Sequence, residues 1–346
     1  MTQIQACYNF AMKVSELGEF GLIDLLAKMA NVPRDNRIAS WRQLRLGIGD
    51  DAAAWQGDDS IQLATVDSFI QDVHFPSGLA SWDELGWKAM AVNLSDIAAM
   101  GGVPRYALVS LALPENTEVD DVTALYTGMI DLAKQFGVAI IGGNISRAPL
   151  VAITIAILGN SKNGDKAILT RSAAKPGELV AVTGYLGAAA AGLEMLTKRL
   201  QFDPQATVFL RNAFFHPYPR IAEGQLLVDH GVKTVIDISD GLISDLNQVC
   251  KASGVSARVE IDRVPVEPTV KAKFSDKSLE LALSGGEDYE LLFTARAEVV
   301  DRVKRAATCL ITVIGEIVAG KGVTLVDRQG NPISLGKAGW EHFITR

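Results

Sequence analysis

The placement of this chain's aspartates constrains it most. Several stand in short runs flanked by Gly, Ser or apolar residues. These are Gly49-Asp50-Asp51, Asp67 at the end of the apolar run 61–67, Asp96 within the Ala-rich segment 91–100, and Asp237-Ile238-Ser239-Asp240-Gly241. Two carboxylates about 4 Å apart repel by about 4 kcal/mol at an effective dielectric near 20, so a fold that gathers several needs cations. Hard oxygen donors of this kind suit Mg²⁺, whose usual work in enzymes is holding phosphates. The pattern points to metal-assisted phosphate chemistry.

A length of 346 residues predicts two domains, each with its own core. The polar loop 160–166 and Lys175-Pro176-Gly177 mark the boundary, giving expected domains 1–160 and 161–346. The net charge of −7 argues against general attraction to nucleic acid or an anionic membrane. Cys7, Cys250 and Cys309 lack metal-ligand spacing and read as incidental thiols of a reducing compartment. With no apolar run of about 18 residues and no signal pattern, a cytoplasmic location is expected.

Strand and helix patterns alternate, which predicts an α/β or α+β fold. Strands are expected at 61–67, 106–113, 150–158, 178–183, 233–239, 288–295, 311–318 and 322–327. Ser81 with Glu84 forms a capping-box signature for a helix running to about Met100, stopped by Gly101, Gly102 and Pro104. Further helices are expected at 121–136, 187–199, 241–252 and 297–307.

Each acidic motif also has an ordinary explanation. Gly47-Ile48-Gly49-Asp50-Asp51 alone suits a surface turn, and gains weight because Asp67 ends the next strand. Asp96 sits in an apolar helical segment where a carboxylate needs partners, with Asn93 on the same face. Asp237 to Gly241 joins a strand to a helix. Ser239 or Asp240 could simply cap that helix, yet free backbone N–H groups there also suit a metal-phosphate bridge. Asp245 is expected on the helix surface. Ser284-Gly285-Gly286-Glu287-Asp288-Tyr289-Glu290 sets three acids around one Tyr at a strand start. No Walker-type phosphate loop occurs, so an ATP site here is of another kind.

Together these motifs resemble the thiamine-monophosphate kinase family, within the superfamily that includes aminoimidazole ribonucleotide synthetase. The match runs from Gly18-Glu19-Phe20 to Gly339-Trp340-Glu341-His342-Phe343. Its most specific pieces are Gly47 to Asp51, Ala91 to Gly101, Leu169-Thr170-Arg171-Ser172, Asp237 to Asp245 and Ser284 to Leu291. The resemblance implies a two-domain fold with an N-terminal α/β sheet that pairs with its mate in a dimeric barrel, and a C-terminal α/β domain completing an ATP and substrate site. It implies ATP as co-substrate, several Mg²⁺ ions and a homodimer. Asp51, Thr65, Asp67, Asp96, Asp237 and Asp240 match metal ligands, and Gly143, Arg171 and Ser239 match ATP contacts. His74, Glu287 and Trp340 match contacts to thiamine phosphate. The expected reaction is transfer of a γ-phosphoryl group to thiamine monophosphate, with Asp51, Asp96, Asp240 and Arg171 central to it.

Two positions depart from the family. Asn144 stands where an Asp is usual in the nucleotide and metal site, and Val66 replaces a small hydroxyl residue. Asn brings an oxygen but no charge, so one metal site is expected to be weak, although Asp72 could partly compensate. The alternatives are another ATP-using enzyme of the superfamily and a nucleotide-binding paralogue with little turnover.

Overall fold

The computed structural model describes residues 12–31, 35, 37–46, 54–57, 59–162 and 167–333. By contacts the chain divides into two compact units. One comprises residues up to Asn93 with Pro104–Asn160, the other Leu94–Val103 with Ser161 onward.

The first unit opens with α1 (Val14–Asn31), α2 (Ala39–Gln43) and a two-stranded ribbon of β1 (Leu44–Leu46) and β2 (Ala54–Trp55). Next come β3 (Gln62–Ile70), α3 (Trp82–Ala99), β4 (Gly102–Leu113), α4 (Val119–Phe136), β5 (Ala139–Arg147) and β6 (Ala152–Ser161). The four long strands form a sheet in the order β3-β6-β4-β5. In β6, Ile153, Ile155 and Ile157 are buried while Ala152, Thr154 and Ala156 are half-buried, the alternation of a strand with one face in the core. α4 buries Val122, Leu125, Tyr126 and Met129 along one stripe and ends on Gly137 in the left-handed region.

The capping-box expectation holds in part, since Ser81 N–H donates to Glu84 Oε2 at 2.8 Å. The helix stops one residue short of Met100, and Gly101 takes φ +67° beyond it. Strand β5 was not expected, because its Gly142-Gly143-Asn144 core carries little strand propensity. Its pairing with β4 is parallel, with a register shift between Ala107 and Leu108. A Cβ on Gly143 would lie 1.8 Å from the Val109 carbonyl oxygen, so this close approach requires glycine.

The second unit contains β7 (Leu179–Thr183), α5 (Ala188–Lys198), α6 (Pro204–Phe215), α7 (Ile221–Asp229), β8 (Thr234–Asp237), α8 (Leu242–Ser253) and β9 (Ser256–Glu260). It continues through α9 (Pro268–Phe274), α10 (Ser278–Ser284), β10 (Leu291–Ala295), α11 (Ala297–Ala306), β11 (Ile311–Val318), β12 (Gly322–Val326) and β13 (Pro332–Ile333). Seven strands form one mixed sheet, β13-β12-β9-β11-β7-β10-β8. Val180, Val182, Ile236, Leu292 and Ile314 of this sheet share a core with Leu242, Leu246 and Val249 of α8. The expected strand 288–295 begins only at Leu291, because Glu287 and Tyr289 have φ of 63° and 51°, outside strand geometry. Among the described residues, no helix is long and apolar enough to cross a membrane.

Helices α3 and α4 meet through two glycines. A Cβ on Gly86 would lie 1.9 Å from Leu125 O, and one on Gly128 would lie 2.0 Å from Asp83 O. Gly128→Val is therefore expected to lower unfolding stability by about 1–3 kcal/mol. Gly57→Ala, at a position open to solvent, should change it little. Urea denaturation of the two variants beside the wild type checks this.

Candidate functional site

In the first unit, Thr65 and Asp67 lie two apart on β3 and so share one strand face. β3 is an edge strand, and the Asp67 N–H donates to Asn93 Oδ1 at 3.0 Å. Asn93 Nδ2 in turn donates to Ala89 O at 3.0 Å, and the side chain is buried. Asn93 is thus a clip between α3 and β3. Sequence reasoning placed it only by helical spacing and missed this role.

The turn after β3 carries His74. Its Nδ1 accepts the Ile70 N–H at 3.0 Å, which leaves the proton of the neutral ring on Nε2. The ring stacks near Phe69, which also stacks on Phe75 and has the buried Lys88 ammonium 5.8 Å from its centroid. Asp72 sits in the left-handed region in this turn, with Oδ1 accepting the Ser77 N–H at 3.2 Å. Its hydrogen bonds hold the turn. Gly143 and Asn144 lie exposed on the edge strand β5.

In the second unit, the last turns of α3 bring Ser95 and Asp96 to the end of β8. The buried Ser95 Oγ donates to Asp237 Oδ2 at 2.7 Å. Burial pushes the Asp237 carboxyl up to about 6, and the charge of Asp96 pushes the same way, while the Ser95 bond and Arg171 oppose them. Arg171 is held beside β8 by its neighbour Thr170, whose N–H donates to Lys233 O and whose carbonyl accepts the Val235 N–H. The structure therefore brings Asp96, Asp237 and Arg171 into one electrostatic group. Ser95 belongs to it as well, and only its place beside Asp96 hinted at that.

Asp245 corrects an expectation. It is buried, not on the helix surface. Its Oδ2 accepts the backbone N–H groups of Ser239 at 3.0 Å, Asp240 at 3.1 Å and Gly241 at 3.1 Å. Those groups are consequently taken, contrary to the expectation that they stand free for a phosphate. Burial and the charges of Asp237 and Asp240 push Asp245 up to about 8, against the backbone bonds that favour its ionised form.

The segment 284–290 lies back to back with this loop. Glu287 N–H donates to Ser239 O, Tyr289 N–H to Ile238 O, and Ile238 N–H to Glu290 O, all within 2.8–2.9 Å. Of its acids, Asp288 accepts from Gly187 N and Ala189 N, and so caps α5, whose N-cap residue Gly187 has no side chain to do so. Glu290 takes a two-pronged bond from Arg220 (2.7 and 2.6 Å) and a third from Thr183 Oγ1. Asp288 and Glu290 thus serve the fold. Glu287 keeps a left-handed backbone that costs about 1–3 kcal/mol and is held by its bond to Ser239 O.

Among the described residues, no group of three or more His, Cys, Asp or Glu side chains is gathered closely enough to hold a metal. Asp51 and Trp340 lie outside the described residues. The charge of Asp96 adds to the cost of ionising Asp237.

Two family models match the chain: AIR synthase related protein, N-terminal domain, over residues 49–160, and AIR synthase related protein, C-terminal domain, over residues 175–328. Thiamine-monophosphate kinase of Escherichia coli (strain K12) is 37% identical over 340 residues, covering 95% of this chain and 99% of that protein. The crystal structure of thiamine-monophosphate kinase from Stenotrophomonas maltophilia K279a superposes with a TM-score of 0.78 at 33% identity, covering 89% of this chain and 96% of that one. AaThiL complexed with AMPPCP and TMP gives a TM-score of 0.74 at 32% identity, covering 97% of this chain and all of the other.

Ser95→Ala removes a donor from a buried carboxylate and is expected to lower stability by about 1.5–3 kcal/mol. Ser95→Cys, with a weaker donor, should cost less. Chemical denaturation at neutral pH measures both.

Proposed function

Since the chain belongs to the thiamine-monophosphate kinase family, we propose that it transfers the γ-phosphoryl group of ATP to thiamine monophosphate, giving thiamine diphosphate and ADP. The observation that carries this reading is the grouping of Asp96, Asp237 and Arg171, on positions where the family motifs place phosphate-handling residues. The likeness to AaThiL complexed with AMPPCP and TMP supports the choice of both substrates.

The acceptor is already an anionic phosphate oxygen, so attack needs no strong base. It needs in-line alignment and neutralisation of two phosphates that repel each other. Arg171 contributes a permanent cation. His74, with its proton on Nε2, is suited to donate to a phosphate oxygen. Glu287 complements the positive charge of a thiazolium ring, and Trp340 is suited to flank it. Gly143, Asn144 and Ser239 are assigned to the nucleotide. Asp51, Thr65, Asp67, Asp96, Asp237 and Asp240 would hold Mg²⁺, which supplies charge neutralisation between the phosphates. Asn144 and Val66 leave one metal position short of its usual donors.

One assay separates the readings. Incubation with ATP, Mg²⁺ and thiamine monophosphate should yield thiamine diphosphate and ADP by chromatography. Asp96→Asn and Asp240→Asn should each lower kcat by about 100-fold or more while leaving the fold intact. Asn144→Asp should lower the Mg²⁺ concentration needed for half-maximal rate, and an unchanged metal dependence would count against a weakened site. Binding of both substrates without product would favour the nucleotide-binding paralogue.

We infer further that the outer face of the four-stranded sheet seats a second copy of the chain. Val66 is 60% exposed there, opposite the half-buried Ala156 in the β3–β6 register, and Ala64 two residues earlier on the same strand face is exposed as well. An open apolar sheet face of this kind calls for a partner surface. Val66→Glu is expected to convert a dimer to monomers, as read by light scattering after size exclusion. A wild type that is monomeric at micromolar concentration would refute the assignment.

A further inference from the structure

We propose that Asp245 is a positioning residue, whose side-chain Oδ2 occupies the seat formed by the backbone N–H groups of Ser239, Asp240 and Gly241 and thereby fixes the loop that carries Asp237 and Asp240. The inference rests on the kinase reading above and deepens it. Three successive N–H groups directed at one point form the concavity that in other proteins receives a phosphate or sulfate. In this chain the acceptor comes from within, from the first turn of α8, at 3.0–3.1 Å from all three nitrogens.

The arrangement decides how a nucleotide can be held. With their N–H groups committed, residues 239–241 offer phosphate oxygens no backbone donors. Phosphate oxygens must then be met by groups outside this backbone, Arg171 among them. The loop is also pinned from its other side, where Ser239 O accepts Glu287 N–H and Ile238 exchanges bonds with Tyr289 and Glu290. Asp237 is fixed independently by Ser95. The backbone under Asp240 is thus set before any ligand arrives, and Asp245 is the one side chain that does this from α8.

What matters in this role is an acceptor oxygen at the right place, and Asn supplies one while Ala does not. Asp245→Ala is expected to lose the slow amide exchange of Ser239 to Gly241 and to weaken Mn²⁺ binding, followed by spin resonance, by about 10- to 100-fold. The same variant should lose kcat with little change in the KM for thiamine monophosphate. Asp245→Asn should keep the exchange protection, most of the Mn²⁺ affinity and most of kcat, in contrast to Asp240→Asn.

Full protection and Mn²⁺ affinity in Asp245→Ala would overturn the proposal. If that variant does not fold, Asp245→Asn decides alone: a loss of Mn²⁺ binding as deep as that of Asp240→Asn would make Asp245 a ligand and not a positioner. Amide exchange at Ser239 to Gly241 requires neither metal nor turnover. A wild type that makes no thiamine diphosphate would therefore defeat the kinase reading while leaving this comparison to stand or fall on its own.

Discussion

Like charges forced together in a partly dry place are the constraint around which the second unit is built. Asp237, Asp240 and Asp245 lie within nine residues, and Asp96 joins them from α3. Each neighbour raises the cost of ionising the next, so every carboxylate needs a defined source of compensation. The protein supplies different ones: a serine hydroxyl for Asp237, three backbone amides for Asp245, and a guanidinium nearby.

A second acidic group, only a few residues away by backbone contact, resolves the same difficulty differently. Asp288 and Glu290 end in a helix cap and a forked arginine bond. These are satisfied, inward uses of charge that stabilise the fold. Acids put to such satisfied, inward use thus stand in the same kind of Gly-flanked run as Asp237 and Asp240.

Much of the fold was legible because periodicity and punctuation agreed. The apolar stretch 311–318 became a strand of the same extent, and Gly101 ended α3 where a left-handed residue was needed. The family motifs pointed to Asp96, Asp237 and Arg171, and in the structure the first and last of these act on the Asp237 carboxyl with opposite signs. The exchange of donors between neighbours was not legible. Nothing in the spacing of Asp245 tells that its carboxylate turns back onto the loop before its helix, since an exposed i+4 position reads the same way. Asn93 was hidden for a like reason, as its partner is a backbone amide distant in sequence. Strand β5 escaped because glycines demanded by close contact with β4 suppress the very propensity that signals a strand. Helices α6 and α9 carry start signals that are readable in the sequence. Each begins with an acid followed by proline, Asp203-Pro204 and Glu267-Pro268, and each acid caps its helix.

The facing glycines of α3 and α4 have a consequence for how this unit can change over time. Where two helices rest peptide against peptide, no side chain remains between them to be trimmed or exchanged. Neither helix can slide or roll without opening a gap, and neither glycine can be replaced unless the whole crossing widens. Variation in the first unit is thereby channelled toward its solvent faces and loops, while the spacing of this one crossing is inherited as a fixed dimension.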